Sequence, residues 1–252
     1  MRNVIGIDAD LIVYKAAAAV QTNLPFAGPV AAVSADYVRA LGIVDNEIAK
    51  LRRELDAGEV VLMLSDPVTA NNFRRQVYPA YKCNRSSTNR PVLFKQLRAD
   101  IESRFGTRWY PGLEGDDCLG VWLTTPGHPE RVVASIDKDF ATVPGRWYNW
   151  NRPEKGVLLS TCEDADRALL FQTLTGDPVD AYPGCPGIGP KKAAAILAGD
   201  SPVWPRVVRA YERKGLTEDD AVAQARCAFI LRYGSWNKHV GVRGWVPSDL
   251  TV

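Results

Sequence analysis

The sequence predicts an α/β protein, a mostly parallel sheet flanked by helices and followed by a helical carboxyl-terminal part. Three observations predict it. Short apolar runs ending at an aspartate recur three times with helical patterns between them. After about residue 160, helical patterns follow one another with no clear strand between them. At 252 residues, with 46% hydrophobic and 24% charged, the chain can bury a full core, and its composition is not that of a disordered, collagenous or coiled-coil chain.

Taken in order, residues 3–8, 59–65 (EVVLMLS) and 131–136 (RVVASI) read as buried strands, with Asp8, Asp66 and Asp137 at their ends. Helical periodicity predicts helices over 11–20, over 34–57 with Gly58 as stop, over 91–105 with Gly106 as stop, and over 115–125. Alternation of this kind implies right-handed crossovers and strands whose carboxyl ends share one edge, where open α/β sheets place their sites. The three aspartates are therefore expected to converge there. Helices are expected next over 163–175, 190–198, 203–214 and 218–233. We divide the chain into an α/β part, 1–160, and a helical part, 161–252, joined by the Gly/Pro-rich stretch 176–190.

Several function classes drop out. No apolar run reaches the roughly 18–20 residues of a membrane span, and the amino terminus has no signal-peptide apolar core, so a soluble cytoplasmic protein is expected. Five scattered cysteines without a CxxC pair suggest neither a disulfide framework nor zinc, and with two histidines, His128 and His239, histidine catalysis is not expected. The net charge of +2 hides an asymmetry. Residues 67–99 carry Arg74, Arg75, Lys82, Arg85, Arg90, Lys95 and Arg98 and no acid, a window of +7 that leaves the rest at 2 − 7 = −5. Such polarity suits a phosphate-rich polymer held beside an acidic, cation-binding site; a solvated basic loop is the plain alternative.

Three constellations carry chemistry. The first is acidic: Asp8, Asp66, Glu114, Asp116, Asp117, Asp137, Asp139, Asp177 and Asp180, at strand ends, at a helix start and before a glycine-rich loop. Early acids also cap helices, which is the structural alternative for Glu114–Asp117. Gathered on one edge, however, nine carboxylates repel one another unless cations sit among them. Oxygen-only ligands select magnesium or manganese, and two such ions clamp a phosphodiester. The second is Tyr81-Lys82 with Arg85, where a cation over a phosphate neutralises developing charge and a tyrosine face stacks a base; Arg74 and Arg75 are expected backbone contacts of DNA. The third is GCPGIGPKKAA from Gly184. Gly187 and Gly189 permit a tight hairpin, Pro190 opens a helix whose amides meet a phosphate, and Lys191 and Lys192 add charge.

With IDAD, SD at Ser65-Asp66, YKxxR from Tyr81 to Arg85, LEGDD, SIDKD, GDPVD and PGIGPKKA in that order, the chain resembles the 5′-nuclease family of flap endonucleases, polymerase-associated 5′-nuclease domains and phage 5′→3′ exonucleases. The resemblance runs from Asp8 to about Ala195. It implies a PIN-like catalytic fold, a helix-three-turn-helix DNA clamp over about 184–198 that commonly holds K+ through backbone carbonyls, and Mg2+- or Mn2+-dependent cleavage of branched DNA near 5′ ends by two or more ions. By position, Asp8, Asp66, Glu114, Asp116 and Asp117 match one metal cluster, Asp137, Asp139, Asp177 and Asp180 a second, and Lys82 and Arg85 the basic pair at the scissile phosphate. Only 47 residues separate Asp66 from Glu114, so any arch over the site is short. A monomer in a bacterial or phage-infected cell is expected. Two rivals stand beside this reading: a haloacid-dehalogenase-like phosphatase with Asp8 as nucleophile, which would need a strand before Asp177, and a DNA-binding protein of the same fold without catalysis.

Overall fold

The structure, a computed structural model, describes residues 2–24, 32–85, 90–198 and 202–251. Strand β1 (Asn3–Asp8) alternates: Ile5 and Ile7 are fully buried in a cluster with Ile12, Val13, Ala40 and Val44, while Gly6 faces the opposite side. There, a Cβ on residue 6 would come within 2.6 Å of the Trp122 ring, so only glycine lets that helix lie against the sheet. Helices α1 (Ala9–Ala19) and α2 (Tyr37–Glu54) cover the first face, and α5 (Gly115–Thr124) covers the second. By the period-2 rule Asp8 shares the parity of Gly6 and points to the α5 side.

The sheet contains β4 (Ala57–Met63), β5 (Arg131–Ala134), β6 (Gly145–Tyr148) and β7 (Val157–Ser160) as well, in the order β4-β1-β5-β6-β7. β1 pairs in parallel with β4 and β5, and β5 with β6; β7 alone runs antiparallel. The mostly parallel sheet flanked by helices is thus as the sequence predicts. Strands β6 and β7 were not expected, because at four residues each they carry too little periodicity to register.

Several helix ends also differ, and Gly58, expected as a helix stop, lies inside β4 because α2 already ends at Glu54. Residues 32–35 form β3 (Ala32–Ala35), paired antiparallel with β2 (Gln21–Leu24), and α2 starts only after Asp36, whose Oδ1 accepts from the Arg39 amide at 3.0 Å. The short α3 (Arg74–Val77) and α4 (Phe94–Phe105) flank the basic segment. Beyond residue 160 come α6 (Cys162–Thr175), α7 (Pro190–Leu197), α8 (Val203–Glu212) and α9 (Glu218–Ala228). The helix expected to reach residue 233 ends at Ala228, and the tail forms a small antiparallel pair, β8 (Trp236–Asn237) and β9 (Gly241–Val242).

One continuous core crosses residue 160. Met63, Trp122 and Val133 belong to the same buried cluster as Leu169, Leu174, Tyr211, Ala225 and Leu231. Each fully buried side chain of this kind contributes about 1.5–3 kcal/mol, so the helices are bound to the sheet by the same burial that stabilises either part. The change at 160 is one of secondary structure, not of core.

Candidate active site

Asp8 closes β1 and caps α1, its Oδ1 accepting weakly from the Leu11 amide at 3.4 Å. Gly115, the first residue of α5, packs against the backbone at 64–65 and the Asp8 carboxylate, which sets Asp116 beside Asp8. Asp137 ends the turn after β5, accepts from the Asp139 amide at 2.9 Å and starts a 3-10 turn over Lys138–Thr142. The electrostatics show that these acids face one another. Burial and the neighbouring Asp10 and Asp137 push Asp8 up to about 8. Burial, Asp8, Asp137 and Glu114 raise Asp116 well above the carboxylate range, and burial and Asp180 raise Asp137. Burial and Asp137 lift Asp139 to about 6. Asp116 Oδ1 is buried without any hydrogen-bond partner. A carboxylate oxygen without a donor amid like charges fits a hard cation, or, with no cation there, a proton shared with Asp8.

Basic side chains reach into this edge. Lys82 pairs with Glu114 and, at 3.4 Å, with Asp180; Arg85 also pairs with Asp180. Burial alone raises Glu114, but Lys82 and Arg74 outweigh it and bring the group down to about 2. Lys138, which the sequence reading passed over, donates to Asp177 at 3.0 Å; against burial, that bond and the Val179 amide keep Asp177 below the usual range. Gln172 donates to Asp139 at 2.5 Å. Among the described residues no three Asp, Glu, His or Cys side chains close on one point by themselves, because Glu114, Asp177 and Asp180 lean on ammonium and guanidinium groups instead.

Three expected roles are corrected and a fourth, that of Asp66, is narrowed. Arg74 is 2% exposed and donates to Asp117, Glu114, and the Cys227 and Phe229 carbonyls, so it braces the core and cannot reach a DNA backbone. Tyr81, also 2% exposed, cannot stack a base; its hydroxyl donates to Glu114 or Asp180, at 2.9 and 3.0 Å. Asp117 is fully buried and accepts from both Arg74 nitrogens and from the Glu114 and Leu231 amides, which fills a carboxylate's roughly four acceptor sites and leaves none for a metal. It is the cap that the structural alternative expected. Asp66 accepts from Val68 N, Asn71 Nδ2 and Gly112 N, so at most one acceptor site remains. It anchors the loop that leads into Glu114. Asp10, which lies outside the acidic set, receives the Ser65 amide at 2.7 Å and Arg98 at 3.1 Å, and Ser65 Oγ in turn receives the Gly115 amide. No local pattern betrays that bridge, since its members lie 50 to 88 positions apart.

The glycine-rich loop sits between α6 and α7. Gly176 and Gly184 cross so closely that a Cβ on either would lie 2.2–2.3 Å from the other strand of the loop, a spacing no other residue tolerates. The Gly184 amide donates to Gln224 and the Cys185 amide to the Leu174 carbonyl, fixing the loop to α9 and α6. Gly187, Gly189, Lys191 and Lys192 are exposed, and a Cβ on Gly189 would meet nothing, so backbone approach there is open. Lys192 donates to the Gly187 carbonyl at 3.0 Å, an ammonium on one of the loop carbonyls. Arg75 is half-buried and donates to the Lys82 carbonyl.

No family model matches the chain. Individual proteins do. The exonuclease of Escherichia phage T7 is 29% identical over 275 residues, covering 94% of this chain and 90% of its own. The exodeoxyribonuclease of enterobacteria phage T3 is likewise 29% identical over 275 residues, covering 94% and 90%. Flap endonuclease Xni of Shewanella oneidensis is 28% identical over 137 residues, half of this chain and 52% of its own. Among solved structures, the phage T5 D15 protein crystallised with metal ions superposes with a TM-score of 0.60 at 15% identity, over 90% of this chain and 91% of that one. The family motifs stand in their expected order, the likeness to a phage exonuclease spans nearly the whole of both chains, and the fold is shared. On these grounds the chain is similar in sequence to phage exonucleases and flap endonucleases of the 5′-nuclease family and shares their fold.

Proposed function

We propose that the protein is a structure-specific 5′-nuclease, acting as 5′→3′ exonuclease or flap endonuclease on the phosphodiester bonds of DNA. The observation that carries this reading is the buried, partnerless Asp116 Oδ1 among Asp8 and Asp137, with Lys82 across the same edge. Asp8, Asp116, Asp137 and Asp139 would hold divalent ions, magnesium or manganese by their oxygen-only chemistry, with Glu114, Asp177 and Asp180 joining as Lys82, Arg85 and Lys138 turn to phosphate. Two such ions supply Lewis acidity and an activated water for in-line displacement.

The chain's own residues do the rest. Lys82 places a positive charge at the acidic edge where a phosphate would develop negative charge, and Glu114 and Asp180 orient it. Arg85, half-exposed, lies farther out and serves the adjoining phosphate. Gly187, Gly189, Lys191 and Lys192 grip the duplex backbone without reading sequence, and Arg75, which donates to the Lys82 carbonyl, supports the basic segment. Residues 1–160 then carry most of the chemistry, with Asp177 and Asp180 reaching in from 161–252, which otherwise supplies the duplex grip. A potassium ion would find its ligands among the carbonyls of the 184–189 loop. The phosphatase rival fares worse, since Asp177 follows helix α6, not a strand. A panel of 5′-labelled flap, nicked, gapped and blunt duplexes, with magnesium and with EDTA, tests the proposal. Metal-dependent release of short 5′ products is expected; full activity in EDTA, or phosphomonoester hydrolysis without DNA cleavage, overturns it.

A further inference from the structure

Among the described residues three non-glycines adopt the left-handed backbone, Asp56, Lys82 and Ala181, at φ 43°, 51° and 57°. Two of them meet. The Lys82 amide donates at 2.8 Å to the carbonyl of Asp180, the residue before Ala181, so one hydrogen bond ties the strained residue of the basic segment to the strained acidic turn. Such a conformation is disfavoured in residues with a Cβ and persists only where the surroundings over-determine it.

The surroundings can be named. Arg75 donates to the Lys82 carbonyl at 3.2 Å, and Tyr81 Oη to Asp180. Asn84 donates its carboxamide to the Pro178 and Val179 carbonyls, at 3.1 and 3.3 Å. Its two partners lie 94 and 95 positions along the chain, on the turn that carries Asp177 and Asp180. Asn84 is exposed, so burial does not hold it there. Lys82 and Arg85 also bridge to this turn, but through charges that the proposed reaction itself draws on. Asn84 bridges without charge, so its bonds do not compete with a phosphate for Lys82 or Arg85.

We infer that Asn84 is a positioning residue: by tying the 178–179 carbonyls to the basic segment it keeps Lys82 in its left-handed conformation, aimed at the acidic edge. The inference rests on the nuclease reading of that edge. Its consequence is a rate effect without a binding effect, since misplacing a cation by about 1 Å is costly in a preorganised site while phosphate contacts elsewhere are unchanged.

The test compares the full-length protein with Asn84→Ala and Asn84→Gln on a 5′-labelled flap duplex. Asn84→Ala is expected to lower the single-turnover rate roughly tenfold or more, with the dissociation constant in calcium within about threefold. Amide hydrogen exchange at Lys82 is expected to accelerate roughly tenfold, with the Gly112 amide, which donates to Asp66, as unaffected reference. Asn84→Gln, which keeps the donor, is expected to recover most of both. An unchanged rate, an unchanged Lys82 exchange, or equal acceleration at Gly112 overturns the inference. Should the wild-type protein cleave no DNA, the nuclease reading fails, while exchange at Lys82 still decides whether Asn84 closes this contact.

Discussion

Arg74→Met separates a structural guanidinium from a DNA contact. Arg74 makes two bonds to Asp117 at 2.7 Å, one to Phe229 O at 2.7 Å, one to Cys227 O at 3.0 Å and one to Glu114 at 3.3 Å. Methionine keeps the apolar stem but deletes the guanidinium that lies over the Phe73 ring, and leaves the fully buried Asp117 with only two amides. Removing one partner of a buried, hydrogen-bonded ion pair costs about 3–5 kcal/mol. At about 2–4 °C per kcal/mol for a chain of this size, the melting temperature should fall by about 6–20 °C in scanning calorimetry. Replacing both partners, Arg74→Met with Asp117→Leu, should recover a large part of the loss, because the uncompensated charge goes too. Duplex affinity, titrated well below the transition, should keep its salt dependence. A drop under about 2 °C with a salt slope shallower by about one unit would refute the bracing role and restore Arg74 as a phosphate contact.

Lys82→Ala should lower the single-turnover cleavage rate by roughly 10² to 10³, with affinity in calcium changing by less than about tenfold; parallel losses would make Lys82 one more backbone contact. Lys191→Ala with Lys192→Ala should weaken duplex binding for all sequences and reduce the salt slope by roughly one unit per lost contact, read by fluorescence titration; an unchanged slope would leave the hairpin a turn only. In EDTA, stability should fall as pH rises from 6 to 8. Asp8 ionises near 3.8 unfolded but about 8 folded, so over this range the folded chain binds the extra proton. Each pH unit of such a difference is worth up to about 1.4 kcal/mol, and Asp8→Asn should flatten the profile; equal slopes in both proteins would sink the assignment.

The sheet was legible because β1, β4 and β5 are apolar strands closed by acids, and the period-2 and 3.6 patterns around them agree. What escaped was short or set by distant partners. β6 and β7 are four residues each and owe their pairing to the neighbouring strand, not to their own pattern. The early end of α9 is likewise set from outside: the Phe229 carbonyl accepts from Arg74 and the Leu231 amide donates to Asp117, so the chain is drawn into extended form where its own periodicity would continue the helix.

The site was legible in its acids and misjudged in its cations, for a reason that charge counting conceals. A window of +7 beside a remainder of −5 reads as a surface awaiting an external polyanion. Yet Arg74 pairs with Asp117 and Glu114, Lys82 with Glu114 and Asp180, Arg85 with Asp180, and Arg98 with Asp10 and Glu102. Four of the seven basic residues thus answer acids within the chain. Their fates differ by burial and by partner. Arg74 and Arg98 are about nine-tenths or more enclosed, where leaving a partner is prohibitive, so they are framework. Arg85 keeps access to solvent, where exchange of one anion for another is nearly neutral; Lys82 is almost as enclosed as Arg98, but its partners Glu114 and Asp180 belong to the acidic edge itself, so a metal that took those carboxylates would leave both cations for a phosphate. The same composition therefore serves two ends, and the depth of each guanidinium or ammonium together with the acids it leans on decides which.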